Sequence, residues 1–231
     1  MKTIGLLGGM SWESSIEYYR IINEAVRDRL GGLHSAKCVM YSLDFAIIEH
    51  MQDQGLWEEA TQLLVEAARN VEKGGADFIL ICTNTMHRMA EDVQKSIDIP
   101  LLHIADATAE KIKESGLNKV GLLGTRFTME EDFYKGRLER NHGLEVVIPD
   151  GEGRELVDRV IYEELVLGKI LEQSKAEYVA IMHDLVRNGA EGIILGCTEI
   201  GLLVGASDIQ VPIFDTTEVH AAVAVELALA D

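Results

Sequence analysis

Two short polar runs, each directly after an apolar stretch, carry the groups best suited to chemistry. One is Thr83-Asn84-Thr85-Met86-His87 and the other is Cys197-Thr198-Glu199. A thiol works near neutral pH as thiolate base or as thiol acid. Two proton-handling groups on opposite sides of one carbon suit inversion of a stereocentre, one removing a proton and the other returning one. Cys197 is the stronger such group. Thr83, far less acidic, would serve the opposite face directly or through a water. Unpaired N–H groups at a helix start bind carboxylates and stabilise a thiolate, which predicts a lowered Cys197 pKa. Asn84, Thr85 and Thr198 stand at such starts, to bind a substrate carboxylate or to cap. Glu199 receives a cationic group of the substrate, orients Cys197, or is a first-turn glutamate favoured by the dipole.

The elements that must position these groups repeat. Ile4-Gly-Leu-Leu-Gly8 recurs as Val120-Gly-Leu-Leu-Gly124 at an offset of 116, and Tyr18 meets Tyr134 at the same offset. Gly75–Thr83 recurs as Gly189–Cys197 at 114, and Pro100-Leu-Leu as Pro212-Ile-Phe at 112. Three matches in one order point to two copies of one α/β unit. The second match sets Thr83 opposite Cys197 and Cys82 opposite Gly196. Side chains alternate along a strand, so Cys82 is expected in the sheet and Thr83 facing the site.

Apolar runs expected as strands are Thr3–Leu7, Cys38–Leu43, Phe78–Cys82, Leu101–Ile104, Val120–Leu123, Glu145–Ile148, Gly192–Leu195 and Val211–Phe214. Between them lie amphipathic stretches; Trp57, Ala60, Leu63, Leu64, Ala67, Ala68 and Val71 share one helical face. The βαβα order predicts an α/β fold with parallel sheets in two similar Rossmann-like lobes and a ligand cleft between them. The expected lobes are 1–104 and 105–211, with about 212–231 packing back on the first.

The chain has 231 residues, with 21 Lys plus Arg and 39 Asp plus Glu, a formal net charge of −18. Such a charge disfavours nucleic acid and anionic membranes as partners. The three cysteines form no metal or disulfide spacing, the histidines form no HExxH-type set, and no metal is expected. No apolar run reaches the roughly 18 residues of a membrane span, and the N-terminus does not read as a secretory leader. A cytoplasmic protein is expected. Gln52, read as lying in the loop after the second strand, is a candidate wall of the site. Thr125, Arg126 and Thr128 form the turn of the second copy that matches Gly8-Gly9-Met10-Ser11.

Taken together, Gly8-Gly-Met-Ser-Trp-Glu-Ser14, Thr83-Asn-Thr-Met-His87 and Gly196-Cys-Thr-Glu199 make the chain resemble the cofactor-independent aspartate/glutamate and hydantoin racemases over essentially its whole length. The resemblance implies two lobes related by a pseudo-two-fold axis, one acid/base residue from each, no pyridoxal phosphate, and a homodimer. It also implies that Met10 and Ser11 line the pocket. Two positions depart from the family pattern. Thr83 stands where the first motif has cysteine, and Val166 stands where many members acting on acidic amino acids have lysine. The expected function is therefore racemisation of aspartate, glutamate or a broader set of amino acids through Cys197 and Thr83. The alternatives are a single-cysteine decarboxylase or isomerase of the same fold, and a non-catalytic amino-acid sensor.

Overall fold

The computed structural model describes residues 1–230. It contains seven strands: β1 (Ile4–Gly8), β2 (Cys38–Ser42), β3 (Phe78–Ile81), β4 (Lys119–Gly124), β5 (Glu145–Val147), β6 (Gly192–Gly196) and β7 (Ile213–Asp215). Every ladder is parallel, and the strands fall into two sheets of order β2-β1-β3 and β5-β4-β6-β7. The fold is α/β with parallel sheets in two sets.

The pairing register reproduces the sequence repeat. Ile4 pairs with Phe78, and Val120 with Gly192, so the first partners differ by 116 and the second by 114. Ile79 bridges Leu101, and Ile193 pairs with Ile213, the latter offset being 112. One duplicated α/β unit accounts for all of these offsets.

Alternation along the strands explains why β1 and β3 of the first sheet are buried on both faces. Leu7, Ile79 and Ile81 pack with Ala60, Leu64, Ala67, Ala68 and Val71 of the helix Trp57–Lys73. Ile4, Leu6, Phe78, Leu80 and Cys82 point the other way, toward Tyr18, Ile22 and Val26 of the helix Trp12–Leu30. Ala221, Ala224, Val225 and Ala228 of the helix Thr216–Leu229 join that second cluster. Cys82 is fully buried there, and burial pushes its thiol far above the ordinary range.

Two compact units result: Met1–Ile104 joined by the chain from His220 on, and Ala105–Val219. The helix Ile104–Glu114, which closes the first repeat, thus belongs almost wholly to the second unit. The final helix closes the second repeat, yet from His220 it belongs to the first unit. Its fully buried His220 accepts a hydrogen bond from Tyr18 at Nδ1, 2.8 Å. Tyr134, the repeat mate of Tyr18, is buried beside Thr108, which lies at the offset of 112 from His220.

Two expectations on strand ends change. The stretch Leu101–Ile104 makes only one bridge, held by Ile79 N to Pro100 O and Leu102 N to Ile79 O, both 2.9 Å. It stops because the Ile104 amide is taken by His87 Nε2 at 3.2 Å and a helix begins there. The return to the first unit starts at His220 rather than near 212, because β7 pairs with β6. Among the described residues, no helix is long and apolar enough to cross a membrane.

Candidate active site

In the first unit, β1 and β3 lie side by side, and the Cys82 amide bonds Leu7 O at 2.9 Å. The Gly9 turn and Thr83 therefore leave the sheet at the same level. Gly9 holds φ +83°, and a Cβ there would meet Leu43 O at 2.1 Å, so only glycine fits. Ser11 caps the helix Trp12–Leu30: its Oγ accepts from Ser14 N at 3.3 Å. Ser15 Oγ accepts from Gly9 N at 2.7 Å and donates to Ser11 O at 3.0 Å, tying the turn to the helix. Met10 is buried with Ile48 and Met86 in the core behind this turn.

Gln52 lies on the helix Phe45–Asp53, not in a loop, and is buried. Asp44 starts that helix by accepting from Ala46 N at 3.2 Å. The Gln52 Nε2 donates to Met86 Sδ at 3.2 Å, which fixes the amide against the polar run after β3.

That run opens a 3₁₀ turn, Thr85–Met89, before the short α-helix Ala90–Lys95. Asn84 and Thr85 are buried, and Thr83 is half-buried. His87 decides how Thr83 is held. The Ile104 N–H can only donate, so Nε2 of His87 is the unprotonated nitrogen, and Nδ1–H donates to Thr83 O at 2.8 Å. Rings of His103 and His220 lie 4.5 and 5.8 Å from that of His87. His220 Nε2 donates to Leu102 O at 2.9 Å, and burial lowers its pKa to about 4, so it is neutral.

The second unit repeats the plan. Gly124 pairs with Gly196, so Thr125 and Cys197 leave neighbouring strands at one level. Thr125 caps the helix Arg126–Glu130, with Oγ1 accepting from Thr128 N at 3.4 Å, as Ser11 does for Ser14 in the first copy. Arg126 is exposed and its guanidinium lies 4.0 Å from Glu130.

Cys197 is half-buried, and its Sγ donates to Glu199 Oε2 at 3.0 Å. Thr198 Oγ1 donates to the same oxygen at 2.7 Å, and Glu199 is itself buried. Burial raises the Cys197 pKa well above the ordinary thiol value, and the Glu199 charge raises it further. The resting group is a thiol, not the thiolate expected from a helix start. The helix that follows, Ile200–Leu203, is a single turn, too short for a dipole to outweigh an adjacent carboxylate. Asp215, at the carboxyl end of β7, also acts on Cys197; burial pushes its own pKa up to about 6. Val166 sits half-buried in the 3₁₀ turn Leu165–Leu167, beside buried Glu164, which accepts from Ser174 Oγ at 2.5 Å.

The candidate residues thus form two sets, one in each unit. Met10, Ser11, Gln52, Thr83, Asn84 and Thr85 line the strand ends of the first. Thr125, Cys197, Thr198 and Glu199 line those of the second. Sequence reasoning missed Ser15 and Asp215. The four-residue spacing from Ser11 and the place of Asp215 at a strand's carboxyl end were the available signals.

Known proteins resemble this chain in sequence and fold. A family model described as Asp/Glu/Hydantoin racemase matches residues 7–224. The crystal structure of a candidate Asp/Glu racemase from Yersinia pestis is 55% identical, with a TM-score of 0.94 and full coverage of both chains. That of an aspartate racemase homologue from Pyrococcus horikoshii OT3 is 38% identical, with a TM-score of 0.87 and again full coverage of both chains. The broad specificity amino-acid racemase RacX of Bacillus subtilis is 27% identical over 160 residues, which is 69% of this chain and 68% of RacX. The repeat, the two polar runs and the family match over nearly the whole chain make this protein a member of the Asp/Glu/hydantoin racemase family.

Proposed function

We propose that the protein is a cytoplasmic amino-acid racemase that needs no cofactor and exchanges the α-proton between Cys197 and Thr83. The observation that carries this reading is the Cys197 thiol 3.0 Å from a buried carboxylate, at the repeat position of Thr83. Glu199 takes the thiol proton, and the thiolate then removes the substrate α-proton. The Thr83 hydroxyl, directly or through a water, protonates the opposite face of the carbanion. Glu199 then gives its proton up to solvent, solvent restores the threonine proton, and the inverted amino acid leaves.

The short polar runs supply the binding groups. The main-chain N–H groups and side chains of Asn84, Thr85 and Thr198 hold the α-carboxylate, with Ser11 and Thr125 at the neighbouring turns. Met10 and Gln52 back the substrate turn and the polar run of the first unit, and His87 positions Thr83 through its carbonyl. Val166 stands where many relatives that act on acidic side chains have a lysine, which takes away a partner for a side-chain carboxylate, so the substrates to test are aspartate, glutamate and a broader set of amino acids side by side.

Racemisation has an equilibrium constant of one, so kcat/KM is equal in both directions whatever the imbalance between thiol and hydroxyl. The test is chiral chromatography of separate D- and L-amino acids incubated with purified protein and no added cofactor. Inversion of aspartate, glutamate or other amino acids that is lost in Cys197→Ala supports the reading. No inversion of any amino acid by the folded protein overturns it. The single thiol would then point to decarboxylation of a malonate, in which Cys197 protonates the carbanion left behind.

A further inference from the structure

The repeat sets a pair of residues behind each acid/base group. At the offset of 114 that joins Thr83 to Cys197, His87 meets Gly201. At the offset of 112 that joins Pro100 to Pro212, His103 meets Asp215. In the first unit the pair is two buried rings, His87 and His103, with centroids 4.5 Å apart. In the second unit the pair is a glycine and a carboxylate. A Cβ on Gly201 would lie 2.5 Å from Asp215 Oδ2, so the glycine leaves the room that the carboxylate fills. Both units thus bring the same two repeat positions together, with imidazole in one and an acid in the other.

The ladder and the following helix place that acid. Asp215 pairs with Leu195 in the parallel register of β6 and β7, and the Thr216 hydroxyl donates to Leu195 O at 2.9 Å. Side chains in register share a face and alternate along the strand, so half-buried Asp215 lies on the face of Leu195 and of Cys197, two residues on. A strand spacing of about 4.8 Å and a two-residue advance of about 6.6 Å put the two backbones roughly 8 Å apart there. Asp215 Oδ1 accepts from Thr217 N at 2.8 Å and from Glu218 N at 3.2 Å, at the start of the helix Thr216–Leu229. Those two bonds need only an acceptor oxygen; a carboxylate brings a charge as well. The titratable groups around it are Glu218 in its own helix start and, after β6, Cys197 with its partner Glu199.

We propose that Asp215 is a positioning residue for Cys197, the counterpart of His103 behind Thr83, whose negative charge keeps the resting group a thiol. On the racemase reading, on which this rests, the charge opposes ionisation of Cys197. The thiolate, once Glu199 has taken the proton, is then the stronger base toward the α-carbon. A histidine at the matching place brings no negative charge to Thr83, whose hydroxyl needs none to stay protonated.

Reaction of Cys197 with a pyridyl disulfide, resolved by mass from about pH 5 to 8.5, tests this on the parent and Asp215→Asn without any substrate. The amide keeps the cap and removes the charge. At an effective dielectric near 20, one charge roughly 8 Å away changes the ionised fraction by about 30-fold. A less basic thiolate attacks more slowly, so the variant should react about fivefold faster near pH 7.5. Burial lifts Asp215 to about 6, so it is charged above that pH and neutral below it. The advantage of the variant should therefore fade toward unity below about pH 6. If Asp215→Asn does not fold, Asp215→Ser, which also caps a helix, decides in its place. Equal or slower reaction of the variant, or an advantage that persists unchanged in acid, overturns the proposal. Chiral chromatography of the parent separates the two readings: the expected reactivity with no inversion of any amino acid fails the racemase reading alone, and inversion with a reactivity ratio independent of pH fails this one.

Discussion

Replacing Glu199 by glutamine separates its two effects on Cys197. The carboxylate lies 3.0 Å from Sγ and is buried, so it both accepts the thiol proton and, as a charge, opposes formation of the thiolate. An amide of the same shape keeps a hydrogen-bonding oxygen but is neither a base nor a charge. Removing a positioned general base costs about 10²–10⁴-fold, or roughly 2.7–5.4 kcal/mol of barrier, so kcat should fall by at least about 100-fold. The thiol, relieved of the adjacent charge, should titrate at lower pH. Its alkylation by iodoacetamide at pH 7.5 should then quicken by about tenfold or more. Turnover and thiol reactivity thus move in opposite directions, measured by chiral chromatography and by mass-resolved alkylation of Cys197. A fall in turnover with slower or unchanged alkylation would refute the proton-acceptor role and leave Glu199 as a packing group. Unchanged turnover would refute the need for a base.

Thr83→Cys should raise kcat by about tenfold or more in both directions, because a thiol is the better proton donor and acceptor; unchanged turnover in a folded variant would mean that Thr83 does not limit the reaction. His87→Ala should lower kcat by about tenfold while KM moves little, because the Thr83 carbonyl loses its 2.8 Å anchor; His87→Asn, which keeps an N–H donor, should recover part of it. Gly9→Ala should cost more than about 2 kcal/mol in urea titration, since a Cβ meets Leu43 O at 2.1 Å in a conformation with φ +83°. His220 is depressed to about 4 in the folded state against an ordinary 6.5, so below pH 6.5 the unfolded chain binds the extra proton and stability falls with pH until about 4. The stability difference between the parent and His220→Gln should therefore shrink by about 3 kcal/mol over that window, read from urea midpoints; a difference independent of pH would show His220 charged in the fold.

The repeat was the most legible feature, because a buried parallel strand needs an apolar run and a duplicated sheet needs two of them at one spacing. The offsets of 116, 114 and 112 reappear in the strand register. The helix Trp57–Lys73 buries the apolar face expected from its periodicity. Segments governed by contacts distant in sequence were not legible. Leu101–Ile104 has strand composition, yet His87, far back in the chain, takes the Ile104 amide and starts a helix. Gln52 is polar and followed a strand, so it read as loop, but the Asp44 cap and the buried Ile48 make it the inner face of a helix. The charge state of Cys197 escaped for a similar reason. Sequence shows a cysteine before a helix, but not that the helix is one turn long or that Glu199 folds back onto the thiol.

The most direct test of the central claim is α-proton exchange in D₂O, followed by NMR for each enantiomer separately, with Cys197→Ala and Thr83→Ala beside the parent. If Cys197 and Thr83 serve opposite faces, Thr83→Ala should wash deuterium into one enantiomer with retention of configuration, because Cys197 removes and returns protons on its own face. The other enantiomer should stay unlabelled, and neither should invert. Cys197→Ala should lose exchange on the enantiomer that Thr83→Ala still labels. Equal labelling of both enantiomers by Thr83→Ala, or inversion that survives in either variant, would contradict the two-sided account.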